Sequence, residues 1–289
     1  MRALPFKIPT TDNESFLVQE DLMDHFYGIL HTHPEVQITL ILSSTGTLFA
    51  GDYIGSFRPG DLFVIGSNCP HVFKNDEAFY GGEEGLKAHG LSLFLGKQFL
   101  EQQIFEIPEA SAFTDFIKKS ETGFYATSQA MTGLEELMLA IRHASGLGRL
   151  VMLFQIIEKL SMYRGFKPLL EKPLSIEVNE ADGKRLKDVF EHTMAHFSEV
   201  ISIEEIANIA NLTPQSFCRF FKRSTRKTYV NFLNELRINK AIQLLKRADM
   251  SIAEISYQSG FNNLSHFNRQ FLRMKKETPS AFRRRMQGS

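Results

Sequence analysis

The chain has 289 residues, a formal net charge of zero and two cysteines, Cys69 and Cys218. This length suits two domains, each long enough to bury a core. Two distant cysteines exclude a disulfide framework and a CxxC metal site. The segment Met1–Lys7 lacks the apolar run of a signal peptide, and nothing reaches the ~18 uninterrupted apolar residues of a membrane span. We therefore expect a cytoplasmic protein with no membrane partner.

The charges are distributed unevenly along the chain. Residues 1–182 contain 14 Lys and Arg against 24 Asp and Glu, a net charge of −10, whereas residues 183–289 contain 19 against 9, a net charge of +10. A basic module beside an acidic one indicates that only the C-terminal part meets a polyanion, because Lys and Arg displace phosphate counterions. The alternative is chance clustering of charge.

Short β-rich segments separated by turn residues occupy the chain from about residue 15 to residue 96. Examples of the β-rich segments are 36–42, 62–65 and 89–95, and Arg58-Pro-Gly-Asp61 is a turn signal. Strands of this length and spacing predict a small β-barrel or sandwich.

Helical periodicity follows, over residues 97–164. Apolar residues recur at helical spacing around Leu137 and around Leu153, with Gly146 between the two stretches. The spacing predicts a helical pair at 131–162. This pair either packs against the barrel or forms an antiparallel dimer contact.

Composition divides the chain into three parts. Residues 1–164 form the N-terminal domain, and residues 165–183, which contain Pro168, Pro173 and several charges, are expected to be a linker. Residues 184–289 form an all-α C-terminal domain. The predicted fold class is therefore α+β with two domains.

The C-terminal part contains one pattern twice, about fifty residues apart. Ser202–Lys222 and Ser251–Phe271 each read as a short helix, a tight turn and a second helix. Each copy opens with a serine followed three residues later by a glutamate, which is a capping box. The segment Tyr229–Lys246 between the copies has the spacing of one long helix. Two helix-turn-helix motifs on one polypeptide predict reading of two successive stretches of DNA.

The polar face of each second helix supplies the candidate DNA contacts. Amide and guanidinium groups suit adenine and guanine edges, and lysine suits phosphates. In the first copy this face presents Gln215, Ser216, Arg219, Lys222 and Arg223. In the second copy it presents Leu264, Ser265, His266, Asn268, Arg269 and Arg273.

Alternatives remain for several of these side chains. The phenylalanines of the two copies have helical spacing and are interpreted as core residues rather than base-stacking groups. Arg219 and Arg269 are either DNA contacts or solvated ion-pair partners, and their equivalent places in the repeat favour DNA. His266 fits a DNA contact and a structural role equally well.

The two copies, the stretch Ala253–Phe261 and the closing tract from Phe271 to Phe282 resemble the AraC/XylS family of transcriptional regulators across roughly residues 184–286. The resemblance implies a seven-helix DNA-binding domain whose two recognition helices occupy adjacent major-groove segments. It also implies contact with RNA polymerase, and it favours a homodimer contact through the helical pair at 131–162. The family's base-contacting positions map here to Gln215, Ser216, Cys218 and Arg219, and to Leu264, Ser265, His266, Asn268 and Arg269. Cys218 and Leu264 are poor hydrogen-bonding groups, so the DNA contact that remains open to them is apolar contact with a thymine methyl.

The β-rich half resembles a cupin. The resemblance is carried by His31-Thr-His33 and by the Gly60…His71…Asn75 skeleton. In AraC-like regulators such an N-terminal domain usually binds a small effector. The effector contacts expected at the barrel mouth and interior are His31, His33, Tyr53, Arg58 and His71.

A metal site is the competing interpretation of these histidines. In metal-binding cupins a carboxylate joins three histidines, but here Gln37 stands four residues after His33 and Glu35 is displaced. His31, His33, Gln37 and His71 are thus weak metal candidates, because the anionic ligand is missing. We expect no cofactor and no enzymatic activity.

The sequence as a whole predicts a sequence-specific transcriptional regulator that binds double-stranded DNA and a small-molecule effector of unknown identity. A metal-dependent cupin enzyme fused to a DNA-binding module is the first alternative. A constitutive architectural protein without an effector is the second, and it would bind unrelated duplexes about equally.

Overall fold

The computed structural model describes residues 4–5, 8, 14–81, 86–127, 132–173, 180–247 and 249–287. Contacts divide the chain into two compact units, Ala3–Glu177 and Val178–Ser289. The first is rich in β-sheet and the second is helical. No helix in the described part of the chain combines the length and apolarity needed to cross a membrane.

The N-terminal unit contains two sheets. The strands are β1 (Leu4–Pro5), β2 (Phe16–Met23), β3 (His31–Thr32), β4 (Val36–Ser43), β5 (Gly46–Ala50), β6 (Tyr53–Phe57), β7 (Asp61–Ile65), β8 (His71–Asn75), β9 (Ala88–Leu95), β10 (Phe124–Thr127) and β11 (Lys167–Pro168). One sheet has the order β1-β3-β8-β5-β6, and the other has the order β11-β10-β7-β4-β9-β2. Apart from the parallel β1–β3 pair, neighbouring strands are antiparallel.

The six-stranded sheet is covered on both faces. Ile38 and Leu40 of β4 pack in a core that includes residues of the unit's helices, such as Phe116. Ile41 points to the other face and packs with Leu48 of the five-stranded sheet. A strand covered on both faces can be apolar almost throughout, which explains why β4 reads as a continuous β-rich run.

Four α-helices are described in the N-terminal unit: α1 (Lys97–Leu100), α2 (Ser111–Ser120), α3 (Leu134–Ala140) and α4 (Gly146–Met162). Short 3-10 turns lie at Glu77–Tyr80, Gln103–Glu106, Pro108–Ala110 and Ile141–His143. The helical stripe predicted around Leu153 is buried in the core of the unit.

The predicted helical part, 97–164, departs from the structure in two places. It contains β10, which pairs with β7 through Phe124 and Val64. Gly146 begins α4 rather than separating two helices. The strand was missed because a short apolar segment carries no helix or strand period of its own, and its pairing partner lies about sixty residues earlier.

The expected linker at 165–183 overlaps folded elements at both ends, because a helix begins at Glu180. Strand β11 pairs with β10, and the N–H groups of Leu169 and Leu170 donate to the carbonyls of Gly123 and Thr122 at 3.1 and 3.0 Å. Both leucines are buried in the N-terminal core. The prolines and charged residues that predicted a linker therefore flank a leucine pair that belongs to the N-terminal core. Residues 174–179 lie outside the described residues.

Seven helices are described in the C-terminal unit: α5 (Glu180–His196), α6 (Ile203–Ile209), α7 (Pro214–Thr225), α8 (Tyr229–Leu245), α9 (Ile252–Gln258), α10 (Leu264–Lys275) and α11 (Pro279–Gln287). An aromatic core joins α5, α7 and α8 through Phe190, Phe221 and Phe232. A second core joins α8, α9 and α10 through Ile238, Ile255 and Phe267. Helix α8 contributes to both cores.

Replacement of Leu170 by alanine tests whether this segment belongs to the fold. Leu170 is 3% exposed, and truncation of a buried leucine costs about 2–5 kcal/mol. We expect the free energy of unfolding of the N-terminal unit, measured by chemical denaturation, to fall by this amount. The matched control is Glu171→Ala at an exposed position, which should change it by less than about 0.5 kcal/mol. Equal effects in the two variants would contradict the placement.

Candidate nucleic-acid interface and ligand cavity

The first helix pair, α6 and α7, is positioned by local capping. The Ser202 hydroxyl accepts a hydrogen bond from the Glu205 N–H at 3.0 Å, and the Glu205 carboxylate accepts from the Ser202 N–H at 3.4 Å. The turn contains Asn211 at φ +53°. Thr213 caps α7, whose first residue is Pro214, where the missing N–H costs nothing.

Helix α7 separates its apolar and polar residues onto two faces. Phe217, Phe220 and Phe221 are buried, so their rings form core rather than a stacking surface for bases. The predicted contact residues lie on the other face: Gln215, Cys218, Arg219, Lys222 and Arg223 are exposed, and Ser216 is half-buried.

The second pair, α9 and α10, repeats this construction. Ser251 and Glu254 form a capping box, and the Asn263 side chain accepts from the His266 N–H at 3.0 Å. Phe267 and Phe271 are buried. The predicted contact residues again lie together: Ser265, Asn268, Arg269 and Arg273 are exposed, and Leu264 and His266 are half-buried.

His266 stands in a positively charged environment. Burial lowers the pKa of its imidazole, and the nearby charges of Arg269, Arg237 and Arg273 lower it further. Its Nε2 lies 3.2 Å from the Gln270 amide nitrogen. A neutral imidazole with an acceptor nitrogen facing an amide group is the arrangement that these contacts favour.

A contact within the C-terminal unit joins the two helix pairs. Arg237 of α8 donates to the carbonyls of Phe197 and Glu199, at 2.7 and 2.6 Å. Its guanidinium carbon lies 5.9 Å from the centre of the Phe261 ring. Gly260, in the turn between α9 and α10, has φ +91°, and a β-carbon there would lie 2.6 Å from the Phe197 carbonyl oxygen. The turn of the second pair thus packs directly on the loop that precedes the first pair.

Sequence reasoning missed two charged residues beside α7. Asp182 and Arg185 of α5 line a cavity of about 240 Å³ together with Ser216, Arg219 and Arg223. They lie before the duplicated pattern, so the repeat could not reveal them.

In the N-terminal unit the structure brings the three predicted histidines together. One ring nitrogen from each of His31, His33 and His71 lies within 4.8 Å of the others, and all three residues are buried. The Nε2 atoms of His33 and His71 lie 3.0 and 2.9 Å from Gln37 Oε1. Glu35 lies on the opposite side of the His33 ring, with Oε2 3.4 Å from Nδ1. The carboxylate is therefore displaced from the cluster.

The second ring nitrogen of each histidine faces a backbone carbonyl. Nδ1 of His31, His33 and His71 lies 2.9, 3.1 and 2.8 Å from a carbonyl oxygen. A carbonyl only accepts, so each Nδ1 carries the proton and each Nε2 of a neutral ring offers a lone pair. Burial lowers the pKa of His31 to about 4, and burial also lowers that of His71.

These lone pairs leave Gln37 with two options. With the amide rotated by 180°, its N–H groups donate to the Nε2 atoms of His33 and His71, and its oxygen accepts from the hydroxyl of Thr39. With the amide oxygen toward the histidines, a cation between them would satisfy all the lone pairs. The donor set fits a neutral hydrogen-bonded cluster and a weakly held metal ion.

A cavity of about 490 Å³ opens beside this cluster. One wall is a polar row across β4, β9 and β2, in which Thr39 and Ser92 are hydrogen-bonded at 2.8 Å. The aromatic residues that line the cavity are Phe26, Tyr27, Phe73, Tyr80 and Phe94. The cavity thus offers both hydrogen-bonding groups and apolar surface to a small molecule.

Two charged side chains also line this cavity. Burial raises the pKa of the Asp21 carboxyl, which accepts a hydrogen bond from the Gln19 amide at 2.8 Å. The Lys74 ammonium lies 4.5 Å from the centre of the Tyr80 ring. Sequence reasoning missed both, because neither belongs to the histidine pattern that signals the cupin.

Of the predicted effector contacts, only His31 lines the cavity directly. His33 and His71 lie behind it, bonded to Gln37, which does line it. Tyr53 packs against the apolar core, and burial raises the pKa of its phenol. Arg58 is exposed at a turn and pairs with Asp61 at 3.9 Å. Neither Tyr53 nor Arg58 lines the cavity.

Comparison with known proteins bears on the C-terminal unit most strongly. Residues 206–285, which begin within α6 and include the whole of α7, α9 and α10, match the family model described as a helix-turn-helix domain. The chain is 23% identical to the uncharacterized HTH-type transcriptional regulator YdeC of Bacillus subtilis over 263 residues, 89% of this chain and 87% of that protein. It is 32% identical to the HTH-type transcriptional activator RhaS of an Enterobacter species over 115 residues, 40% of this chain and 41% of that protein.

Solved structures include similar chains. A transcriptional regulator from Chromobacterium violaceum, described as containing an AraC-type DNA-binding domain, is 27% identical, with a TM-score of 0.33 and coverage of 36% of this chain and 94% of that one. The chain therefore contains a helix-turn-helix domain over residues 206–285, and it is similar over 89% of its length to an HTH-type transcriptional regulator.

Proposed function

We propose that this regulator reads one promoter through α7 and α10, which enter successive major-groove segments. The observation that carries the proposal is the repeated geometry. Each helix buries its phenylalanines and presents a polar face with an arginine at the same place in the repeat, Arg219 and Arg269. A helix of this kind, preceded by a short helix and a tight turn, is the groove-reading element of helix-turn-helix proteins.

The side chains divide into base readers and phosphate binders. Gln215, Asn268 and the two arginines carry the amide and guanidinium groups that pair with adenine and guanine. Lys222, Arg223 and Arg273 suit phosphates. Cys218 is exposed and Leu264 half-buried, and they are proposed as apolar contacts to thymine methyl groups.

The N-terminal unit is proposed to be a cupin-type sensor. Support comes from its two packed sheets and from the 490 Å³ cavity at its histidine cluster. The ligand would be a small organic molecule with a polar edge and an apolar face. Such a ligand alters DNA binding only if it has different affinities for two arrangements of the protein.

A homodimer and contact with RNA polymerase complete the proposal. Helix α4 exposes Leu147, Val151 and Met162, at 74%, 45% and 67% of their surface. Apolar side chains exposed along one helix suit a self-complementary contact. The polymerase contact rests on resemblance to the AraC/XylS family alone.

A metal-dependent enzyme is the second candidate, favoured by the convergence of His31, His33 and His71. Three neutral imidazoles would bind a first-row transition metal, but Gln37 supplies a neutral oxygen where a carboxylate would stabilise the cation. The hydrogen-bonded form of the cluster needs no ion.

Substitution of the paired arginines tests DNA reading. Arg219→Ala and Arg269→Ala should each weaken binding to the preferred site by about 1–3 kcal/mol and relax base selectivity at the contacted position. The preferred site is first selected from a random duplex library with the wild-type protein, and affinity is then measured by fluorescence anisotropy. The control is Lys246→Ala, an exposed residue outside α7 and α10.

Unchanged base preferences in both arginine variants would count against readout by these helices. A wild-type protein that binds all duplexes equally at physiological salt would instead favour the architectural alternative.

Gly260→Ala tests whether the two helix pairs act as one body. The added β-carbon meets the Phe197 backbone at 2.6 Å, and a residue with φ +91° is strained in addition. We expect thermal unfolding of the C-terminal unit at a lower temperature, and we expect affinity for the full site to fall toward that of its better half-site alone. The control is Gly146→Ala in the N-terminal unit, where φ is +54° but no described atom lies within 4 Å, and its effect is measured on the unfolding of that unit. The loss of stability in that variant measures the backbone strain without a steric clash, which is about 1 kcal/mol.

If Gly260→Ala and Gly146→Ala lower the unfolding temperature equally, the close packing of Gly260 on the Phe197 backbone does not contribute to stability. Arg237→Met provides a second route to the same question, because it removes both hydrogen bonds to the loop without altering Gly260.

Metal analysis separates the regulator from the enzyme. We expect protein purified without chelators to contain far less than one equivalent of iron, manganese, nickel or zinc, and we expect dialysis against EDTA to leave DNA affinity unchanged. His71→Gln serves as the comparison, because it removes one of the three imidazoles. A stoichiometric metal that disappears in His71→Gln would favour the second candidate over the first.

A further inference from the structure

The cavity of about 240 Å³ beside α7 is lined by charged residues from two different helices. Asp182 and Arg185 come from α5, and Arg219 and Arg223 come from α7. Leu212, Ser216 and Phe220 complete the lining. The cavity therefore lies next to the face of α7 that is proposed to read bases.

The Asp182 carboxylate forms ion pairs with two of the arginines, Arg185 and Arg223. Asp182 Oδ1 lies 3.1 Å from Arg185 Nη1, and Asp182 Oδ2 lies 2.7 Å from Arg223 Nη2. The Asp182 side chain is 14% exposed, whereas those of Arg185 and Arg223 are 35% and 58% exposed. Each guanidinium has five N–H donors, so each retains donors for a further partner after pairing with Asp182.

The charge of the cavity determines which ligand it suits. Three arginines and one aspartate line it, which leaves a net charge of +2. A guanidinium fork matches phosphate oxygens in geometry, and a carboxylate behind the fork fixes its orientation. An anionic phosphodiester of DNA fits this charge and this position beside a groove-reading helix.

We propose that Arg185 is a DNA-phosphate contact contributed by α5, a helix outside both helix-turn-helix pairs, and that Asp182 holds it beside Arg223. The inference rests on the proposed DNA-binding function and extends it. It adds an anchor that positions α7 in the groove, because phosphate contacts fix the register of a protein on the duplex. Arg185 also precedes residues 206–285, so the matched family model does not include it.

The same helix provides a matched control. Lys187 lies two residues after Arg185, about 200° around the helix and therefore on a different face. It pairs with Glu191 at 3.6 Å. Lys187→Ala removes one positive charge from α5 without altering the cavity.

The experiment measures the binding of full-length protein to two fluorescein-labelled duplexes, the selected site and a scrambled duplex of equal length, at several KCl concentrations. Arg185→Ala should weaken binding to both duplexes by a similar factor, roughly 5-fold, and reduce the slope of log affinity against log salt by about 1. Arg185→Lys should retain the slope, because the charge remains. Lys187→Ala should behave as the wild type.

Several results would overturn the proposal. One is an unchanged slope in Arg185→Ala, and another is an equal reduction in Lys187→Ala. If circular dichroism shows that Arg185→Ala fails to fold, Arg185→Gln retains a donor to Asp182 and should still show the smaller slope. A wild-type protein that binds neither duplex would refute the proposed function itself, whereas a binding wild type with an unaffected Arg185→Gln refutes only this contact.

Discussion

Arg237 contacts both halves of the C-terminal unit from the middle of α8. It donates hydrogen bonds to the carbonyls of Phe197 and Glu199, which precede the first helix pair. Its guanidinium lies beside the ring of Phe261, which belongs to the turn of the second helix pair. Burial lowers the pKa of this side chain, although arginine stays charged at any physiological pH. A half-buried cation is stable here because backbone carbonyls replace the water that it loses.

This contact determines what the two recognition helices can do together. Two helices on a flexible connector would bind DNA as tethered ligands, and their joint affinity would depend on the effective concentration set by the tether. Two helices fixed by a half-buried arginine, a glycine in close contact and a shared helix lose little ordering entropy on binding. Preorganisation also restricts the separation of the two base-pair segments that the protein can read.

The C-terminal unit was largely predictable because its signals are local. Capping boxes at Ser202 and Ser251, Pro214 at the start of α7 and the 3.6-residue spacing of phenylalanines all act within one or two turns of helix. The contacts that join the pairs could not be predicted. Arg237 and Phe197 are forty residues apart, and no local sequence pattern in either segment predicts that the two residues are in contact.

The N-terminal unit was predictable in class but not in detail. Its histidines were recognised from their spacing, and the structure does bring His31, His33 and His71 together. Strand β10 and the buried pair Leu169 and Leu170 were missed because their stability comes from distant partners rather than from local propensity. The cavity wall was missed for the same reason, since Ser92 faces Thr39 only through strand register.

The rigid arrangement of α7 and α10 is tested most directly by the spacing of the DNA itself. Once the preferred site is known, duplexes can be made with 1, 5 or 10 extra base pairs between its two halves, about one helical turn for the longest insertion. Affinity is then measured for each duplex. The account predicts that every insertion, including the 10-base-pair one that restores the groove to the same side, lowers affinity to that of the better half-site alone. Affinity that returns at 10 base pairs would show that the connector flexes and would contradict the account.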